Sequence, residues 1–124
     1  MDNAKISQTI TMLADLLEFQ GANAFKIRAY RNGARVIKDY PDSINSIIEE
    51  DPASLLSIDG IGKGVAEKCV VLVETGELPQ INEILEEIPR SVLDLLRIPG
   101  MGPKKAAMLY RELGIASLDQ LKEA

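Results

Sequence analysis

Along the first twenty positions Ile6, Ile10, Leu13 and Leu17 fall on one face, with Leu16 beside them. That spacing predicts an amphipathic helix from Asn3 to about Phe19, with Asn3 as its cap and Gly21 as its stop. From Asn23 to Tyr40 a second helix puts Ile27, Tyr30, Ala34 and Ile37 on one stripe. Arg28, Arg31, Arg35 and Lys38 repeat the spacing one residue later, so they form a basic stripe about 100° further round the same helix. Lys26 lies near its start, and within the helix only Asp39 opposes the charge. Like charges at this spacing repel by about 0.2–0.5 kcal/mol per pair, so an unrelieved stripe points to an anionic partner rather than to a merely solvated face.

Tyr40-Pro41-Asp42-Ser43 breaks the pattern, and a short helix follows through Ile44, Ile47 and Ile48. Asp51-Pro52 reads as a cap followed by proline at the first helical position, opening a short helix through Leu55 and Leu56. Residues 42–59 carry Asp42, Glu49, Glu50, Asp51 and Asp59 and no Lys or Arg, an acidic block that would face away from any phosphate backbone. Further helices are predicted over Val65–Glu74, with Thr75-Gly76 as the stop, over Pro79–Glu87, over Ser91–Arg97, and from Lys104 to Leu113 before Gly114. Ser117 is expected to cap a last turn through Leu118 and Leu121. No segment alternates with period two. The fold class expected is all-α, a compact helical bundle.

Two glycine hairpins punctuate this bundle, Ile58-Asp59-Gly60-Ile61-Gly62-Lys63-Gly64 and Ile98-Pro99-Gly100-Met101-Gly102-Pro103-Lys104-Lys105. A shift of 40 residues superposes Leu55, Leu56, Ile58, Gly60, Gly62 and Ala66 on Leu95, Leu96, Ile98, Gly100, Gly102 and Ala106, all identical. Duplication of a short unit implies that each copy does the same structural job. Glycine reaches positive φ cheaply, and a tight hairpin feeding a helix N-terminus leaves amide donors that together can hold an anion. The residue between each glycine pair, Ile61 or Met101, would tuck beneath the hairpin. The small Ala66 or Ala106 would let the two helices approach.

A chain of 124 residues makes one ordinary domain or two small ones. Aromatics are 4% and Trp is absent, so the core must be aliphatic. Histidine is absent, which removes Ser-His-Asp and Cys-His catalysis and the common zinc sites, and leaves lysine, carboxylates, tyrosine or a backbone-bound ion. The single cysteine, Cys69, sits in an apolar helical run and reads as core filler in a reducing, cytoplasmic compartment. No signal-peptide pattern opens the chain and no apolar run is long enough to span a membrane. A net charge of −5 looks unfavourable for nucleic acid, but the segregation of basic stripe from acidic block matters more than the sum.

The duplicated hairpins resemble the helix-hairpin-helix motif, apolar-x-Gly-apolar-Gly followed by small and basic residues. The resemblance implies sequence-independent binding of the DNA backbone through hairpin amides, without a base code. It also implies a potassium or sodium ion held by the backbone carbonyls of Leu56, Ile58 and Ile61 at the first hairpin and of Leu96, Ile98 and Met101 at the second. More of the chain is similar in order to the N-terminal region of X-family DNA polymerases, the group that contains polymerase beta. Ala24-Phe25-Lys26-Ile27-Arg28-Ala29-Tyr30-Arg31-Asn32-Gly33-Ala34, the first hairpin, Glu74-Thr75-Gly76-Glu77-Leu78 and the second hairpin carry that likeness. It implies a small domain over residues 1–78 that binds the 5′-phosphate side of a DNA gap, and a second hairpin subdomain over 79–124. It places DNA contacts at Lys26, Arg28, Tyr30, Arg31, Arg35, Gly60, Gly62, Lys63, Gly64, Gly100, Gly102, Lys104 and Lys105. No Asp-x-Asp pair occurs, so by this likeness the chain alone does not polymerise. DNA as partner would put the protein at the nucleoid, in DNA repair.

Some family members also remove a 5′-deoxyribose phosphate, and Gly62 through Ala66-Glu67-Lys68 matches the pattern that ends in their Schiff-base lysine. Lys68 lies at the edge of the apolar arc of its helix. A lysine amine, with a reference pKa of about 10.4, becomes a good nucleophile when burial or neighbouring cations bring it down. The sequence departs from the family pocket at four places: Phe25 stands for a histidine, Leu56 and Gly64 for lysines, and Gln80 for a further lysine. A non-enzymatic, standalone DNA-binding or assembly module is the competing reading, and a protein-interaction domain with an acidic surface is a third.

Overall fold

A computed structural model describes residues 1–89 and 91–114. Their regular structure is entirely helical: α1 (Asn3–Gln20), α2 (Ala24–Asp39), α3 (Ile44–Glu50), a 3-10 helix (Pro52–Ser57), α4 (Lys63–Thr75), α5 (Pro79–Glu87), α6 (Val92–Leu96) and α7 (Gly102–Leu113). The turn expected from Ser117 lies outside the described residues. No helix among them is long and apolar enough to cross a membrane.

Capping sets the helix starts. The cap of α1 is Asp2, not Asn3: its carboxylate accepts a hydrogen bond from the Lys5 amide at 2.7 Å. Asn3 is released for a longer-range task. Its amide nitrogen donates to the carbonyls of Asp42 at 2.8 Å and Tyr40 at 3.4 Å, and its oxygen accepts from the Ile44 amide at 2.9 Å. The start of α1 is thereby stapled to the link between α2 and α3. Asn23, Ser43 and Asp51 cap α2, α3 and the 3-10 helix through the amides of Phe25, Ser46 and Ala53. The expected helix through Leu55 and Leu56 is the 3-10 helix, whose tighter winding buries Leu55 fully and leaves Leu56 55% exposed.

Among the described helices, α1 and α2 share the most extensive contact. Ile6, Ile10 and Leu13 of α1, Ile37 of α2, Ile44 of α3, Leu55 of the 3-10 helix and Leu72 of α4 belong to the main core. Ser7, the buried polar side chain beside it among the described residues, donates to the Ala34 carbonyl at 2.7 Å, and none of the described buried side chains leaves a polar atom without a partner. Helix α4 comes very close to α2 at Gly33, where a Cβ would lie 2.7 Å from Val65 Cγ1. Ile81 and Ile84 of α5 join the same core. Cys69 is fully buried there, and burial pushes its thiol up to about 12, which keeps it protonated and inert.

A second, smaller core gathers Val92, Leu95, Met101, Ala106 and Ala107 around Phe19, from the last turn of α1. Phe19 also packs against Tyr110 with ring centroids 5.5 Å apart, and Arg111 donates to the Phe19 carbonyl at 3.1 Å. Phe19 is the seat of the second hairpin unit.

Candidate nucleic-acid interface

The two hairpins repeat each other in hydrogen bonding as well as in sequence. In the first, the amides of Ile58 and Ile61 donate to the carbonyls of Leu55 and Ile58, each at 3.1 Å; in the second, Ile98 and Met101 donate to Leu95 and Ile98 at 3.2 and 2.9 Å. Gly60 and Gly100 turn with φ of +92° and +81°. Ile61 and Met101 are buried beneath the hairpins, and Ala66 and Ala106 are buried where the helices meet.

The copies differ in what they offer a ligand. Gly62 caps α4 with extended backbone and no side-chain hydrogen bond. The first amides of a helix have no intrahelical acceptor, so those of exposed Lys63 and Gly64 are left for an anion. In the second copy Gly102 has φ of +62° and Pro103 follows it, which removes one amide donor. Lys104 and Lys105 are exposed on the turn behind it.

The first hairpin is set against the basic helix. A Cβ on Gly60 would lie 2.7 Å from Val36 Cγ2 and 3.4 Å from Asn32 Nδ2, both on α2. Ala29 and Asn32 line an open depression of about 570 Å³ with Leu56, Ile58, Ile61 and Gly62. The same two residues line an adjoining depression of about 560 Å³ with Phe25, Arg28, Arg31 and Arg35. Hairpin and basic stripe are one continuous surface. At its edges stand the largest exposed apolar groups near the hairpin, Phe25 at 78% and Leu56 at 55%. The Arg28 guanidinium sits 5.8 Å from the Phe25 ring centroid, a cation–π contact of about 0.5–1 kcal/mol at an exposed site. Arg35 donates to Asn32 Oδ1. Asn32 was not among the expected contacts, although its place between Arg28 and Arg35 at i+4 and i−3 put it on the same face.

Arg31 is placed differently from the other arginines of the stripe. Its Nη1 donates to Asp15 at 2.9 Å and its Nη2 to Glu18 at 2.6 Å, tying α2 to α1. Burial pulls the guanidinium down, but the hydrogen bonds and charges of Glu18 and Asp15 more than offset this and raise it. Its charge is therefore spent within the fold. Arg31→Met is expected to cost about 1–2 kcal/mol in urea unfolding, above the range for an exposed pair because two charged hydrogen bonds are lost. Arg35→Met should leave stability within about 0.5 kcal/mol. Equal stability losses would remove the distinction.

Arg28 and Arg31 also line a cleft of about 630 Å³ together with Lys104, Met108 and Arg111 of α7, so the basic stripe and the second hairpin unit meet there. Lys26 and Lys105 are exposed outside it. Tyr30 is only 5% exposed and belongs to the core; burial, and then the charge of Glu67, push its hydroxyl up. Its ring edge lies 4.0 Å from where Gly64 would carry a Cβ.

Lys68 is half-buried on another side of α4, in a recess of about 390 Å³ lined by Val71, Leu78, Pro79, Gln80 and Glu83. Besides Lys68, the recess has one charged lining residue, the carboxylate Glu83, because α5 presents Gln80 and Glu83 on one face. Of the residues whose carbonyls are expected to hold a monovalent cation, Leu56, Ile58 and Ile61 line the first hairpin's depression, and Leu96 also lines a groove with residues of α1.

Residues 1–78 match the helix-hairpin-helix domain family, and residues 92–124 match the SAM-like helix-hairpin-helix tandem. The chain is 31% identical over 124 residues to the DNA polymerase/3′-5′ exonuclease PolX of Bacillus subtilis (strain 168), an alignment that covers 100% of this chain and 21% of that protein. It is 29% identical over 121 residues to DNA polymerase lambda of Rattus norvegicus, covering 97% of this chain and 20% of the relative. The chain thus spans about a fifth of the length of these relatives.

Proposed function

Because the chain belongs to the helix-hairpin-helix domain family and corresponds to the N-terminal region of an X-family DNA polymerase, we propose that it is the DNA-binding module of such an enzyme. The observation that carries this reading is the continuous surface on which the first hairpin's free amides adjoin Arg28, Asn32 and Arg35. Amides at a helix start and guanidinium groups both recognise phosphate oxygens, and neither reads a base in this arrangement. Binding is therefore independent of sequence. Of the acidic block, Asp59 does not face away: it is exposed in the hairpin and lines its depression. Glu49, Glu50 and Asp51 line neither depression, so Arg28, Arg31 and Arg35 keep the adjoining one basic despite a net charge of −5.

Gapped DNA carrying a 5′-phosphate is the ligand this reading favours, with Lys26, Lys63 and the amides of Lys63 and Gly64 near the terminal phosphate. A potassium or sodium ion, when bound, would be held at the first hairpin by the carbonyls of Leu56, Ile58 and Ile61 and would add positive charge opposite the backbone. Lys68 supports a second activity on the same DNA, removal of a 5′-deoxyribose phosphate through an imine, since its amine is half-buried at an open recess. A standalone module without chemistry would bind DNA alike and form no imine.

Titration of gapped DNA at several salt concentrations tests the binding. Each neutralised phosphate contributes about −0.9 to the log–log slope, so five cations at the surface give a slope of roughly −3 to −5. Removal of the 5′-phosphate should weaken binding measurably. Undetectable or salt-independent binding would overturn the proposal and favour a protein-interaction domain.

A further inference from the structure

Lys68 and Glu83 face one recess from two helices, α4 and α5. Among the described residues neither forms an ion pair, and both line the recess, whose volume is about 390 Å³. Val71, Leu78 and Pro79 make the recess apolar on its other sides, and Gln80 stands one turn from Glu83 on the same face of α5. Glu87, one turn further along α5, accepts a hydrogen bond from Gln20 and does not line the recess.

We propose that Glu83 is the base that takes the C2′ proton from the imine formed on Lys68, so that sugar removal is run by a lysine–carboxylate pair. The proposal rests on the reading of Lys68 given above. The Lys68 amine adds to the C1′ aldehyde of the ring-opened abasic sugar and water leaves, giving the imine. Imine formation acidifies the hydrogen on C2′. The Glu83 carboxylate accepts that proton, the electron pair of the C2′–H bond forms the C2′=C3′ double bond, and the C3′–O bond breaks with its pair leaving on the phosphate oxygen of the downstream strand. Water then hydrolyses the conjugated imine, releasing the unsaturated sugar phosphate and restoring the lysine. No oxidant or metal is consumed.

The test uses gapped DNA ending in a 5′-deoxyribose phosphate and two readouts, the borohydride-trapped adduct and the rate of sugar release. Glu83→Gln should trap within about twofold of the native protein while sugar release falls by about 10²-fold, the lower end of what a positioned base contributes. Glu83→Asp should recover part of the release. Glu86→Gln, on the same helix but outside the lining of the recess, should change neither readout. Native release from Glu83→Gln would overturn the proposal and leave Lys68 standing. A parallel fall of adduct and release would also overturn it, since that is the signature of a structural role. If the native protein itself forms no adduct, the Lys68 reading fails and this proposal fails with it.

Discussion

Gly60→Ala is expected to lower stability by about 2–4 kcal/mol, whereas Gly100→Ala, at the equivalent place in the other hairpin, should cost only about 1–2 kcal/mol. Both glycines have positive φ, +92° and +81°, so both substitutions pay the left-handed penalty of an L-residue. Among the described residues only Gly60 of the two has a neighbour in the way: its new Cβ would lie 2.7 Å from a methyl group of Val36, while a Cβ on Gly100 would meet none of them within 4 Å. Val36 is β-branched and stiff at χ1, so the clash cannot be relieved by a simple swing of the side chain. Urea unfolding of the two variants measures the difference. Adding Val36→Ala to Gly60→Ala should recover the steric share and leave the backbone share. Equal losses at the two glycines would show that the first hairpin is not pressed against α2 as described. The effect reaches function, because pushing the hairpin off α2 separates its amides from Arg28 and Arg35.

The contrast between these two glycines shows how far the sequence could be read. Periodicity and glycine stops located nearly every helix, and the bounds of α5, Pro79–Glu87, coincide with those expected. The repeat was legible because identical residues make identical local hydrogen bonds. What surrounds each copy was not legible, because it depends on contacts between distant parts of the chain. Leu56 and Leu96 are the same residue in the same register, yet Leu56 is 55% exposed and Leu96 is half-buried against both cores. Arg31 looked like any other member of the basic stripe, since a one-dimensional pattern cannot reveal that Asp15 and Glu18 of α1 lie opposite it. Asn3 and Asp2 are comparable caps by type, and only the carbonyls of Tyr40 and Asp42 decide which of them is free for another bond. Gly33 drew no attention as a helical glycine, although the closest approach of α2 and α4 depends on it.

Lys68→Ala is expected to abolish the borohydride-trapped adduct while leaving the affinity for gapped DNA within about 1 kcal/mol, because one surface cation contributes about one phosphate's worth of salt-dependent binding. The separation follows from where Lys68 sits. Its recess lies between α4 and α5, whereas the hairpin amides, Arg28 and Arg35 are on the surface shared with α2. Lys68→Arg should behave like the alanine variant in trapping, since a guanidinium stays protonated and forms no imine at neutral pH, but it should keep the full salt slope of binding. Peptide mapping of the native adduct should place it on Lys68 and not on Lys63 or Lys26, which are exposed and stand outside the recess. An undiminished adduct in Lys68→Ala would move the nucleophile to one of those amines. That result would also detach the chemistry from the carboxylate across the recess, because Glu83 can take a proton only from a sugar held at Lys68.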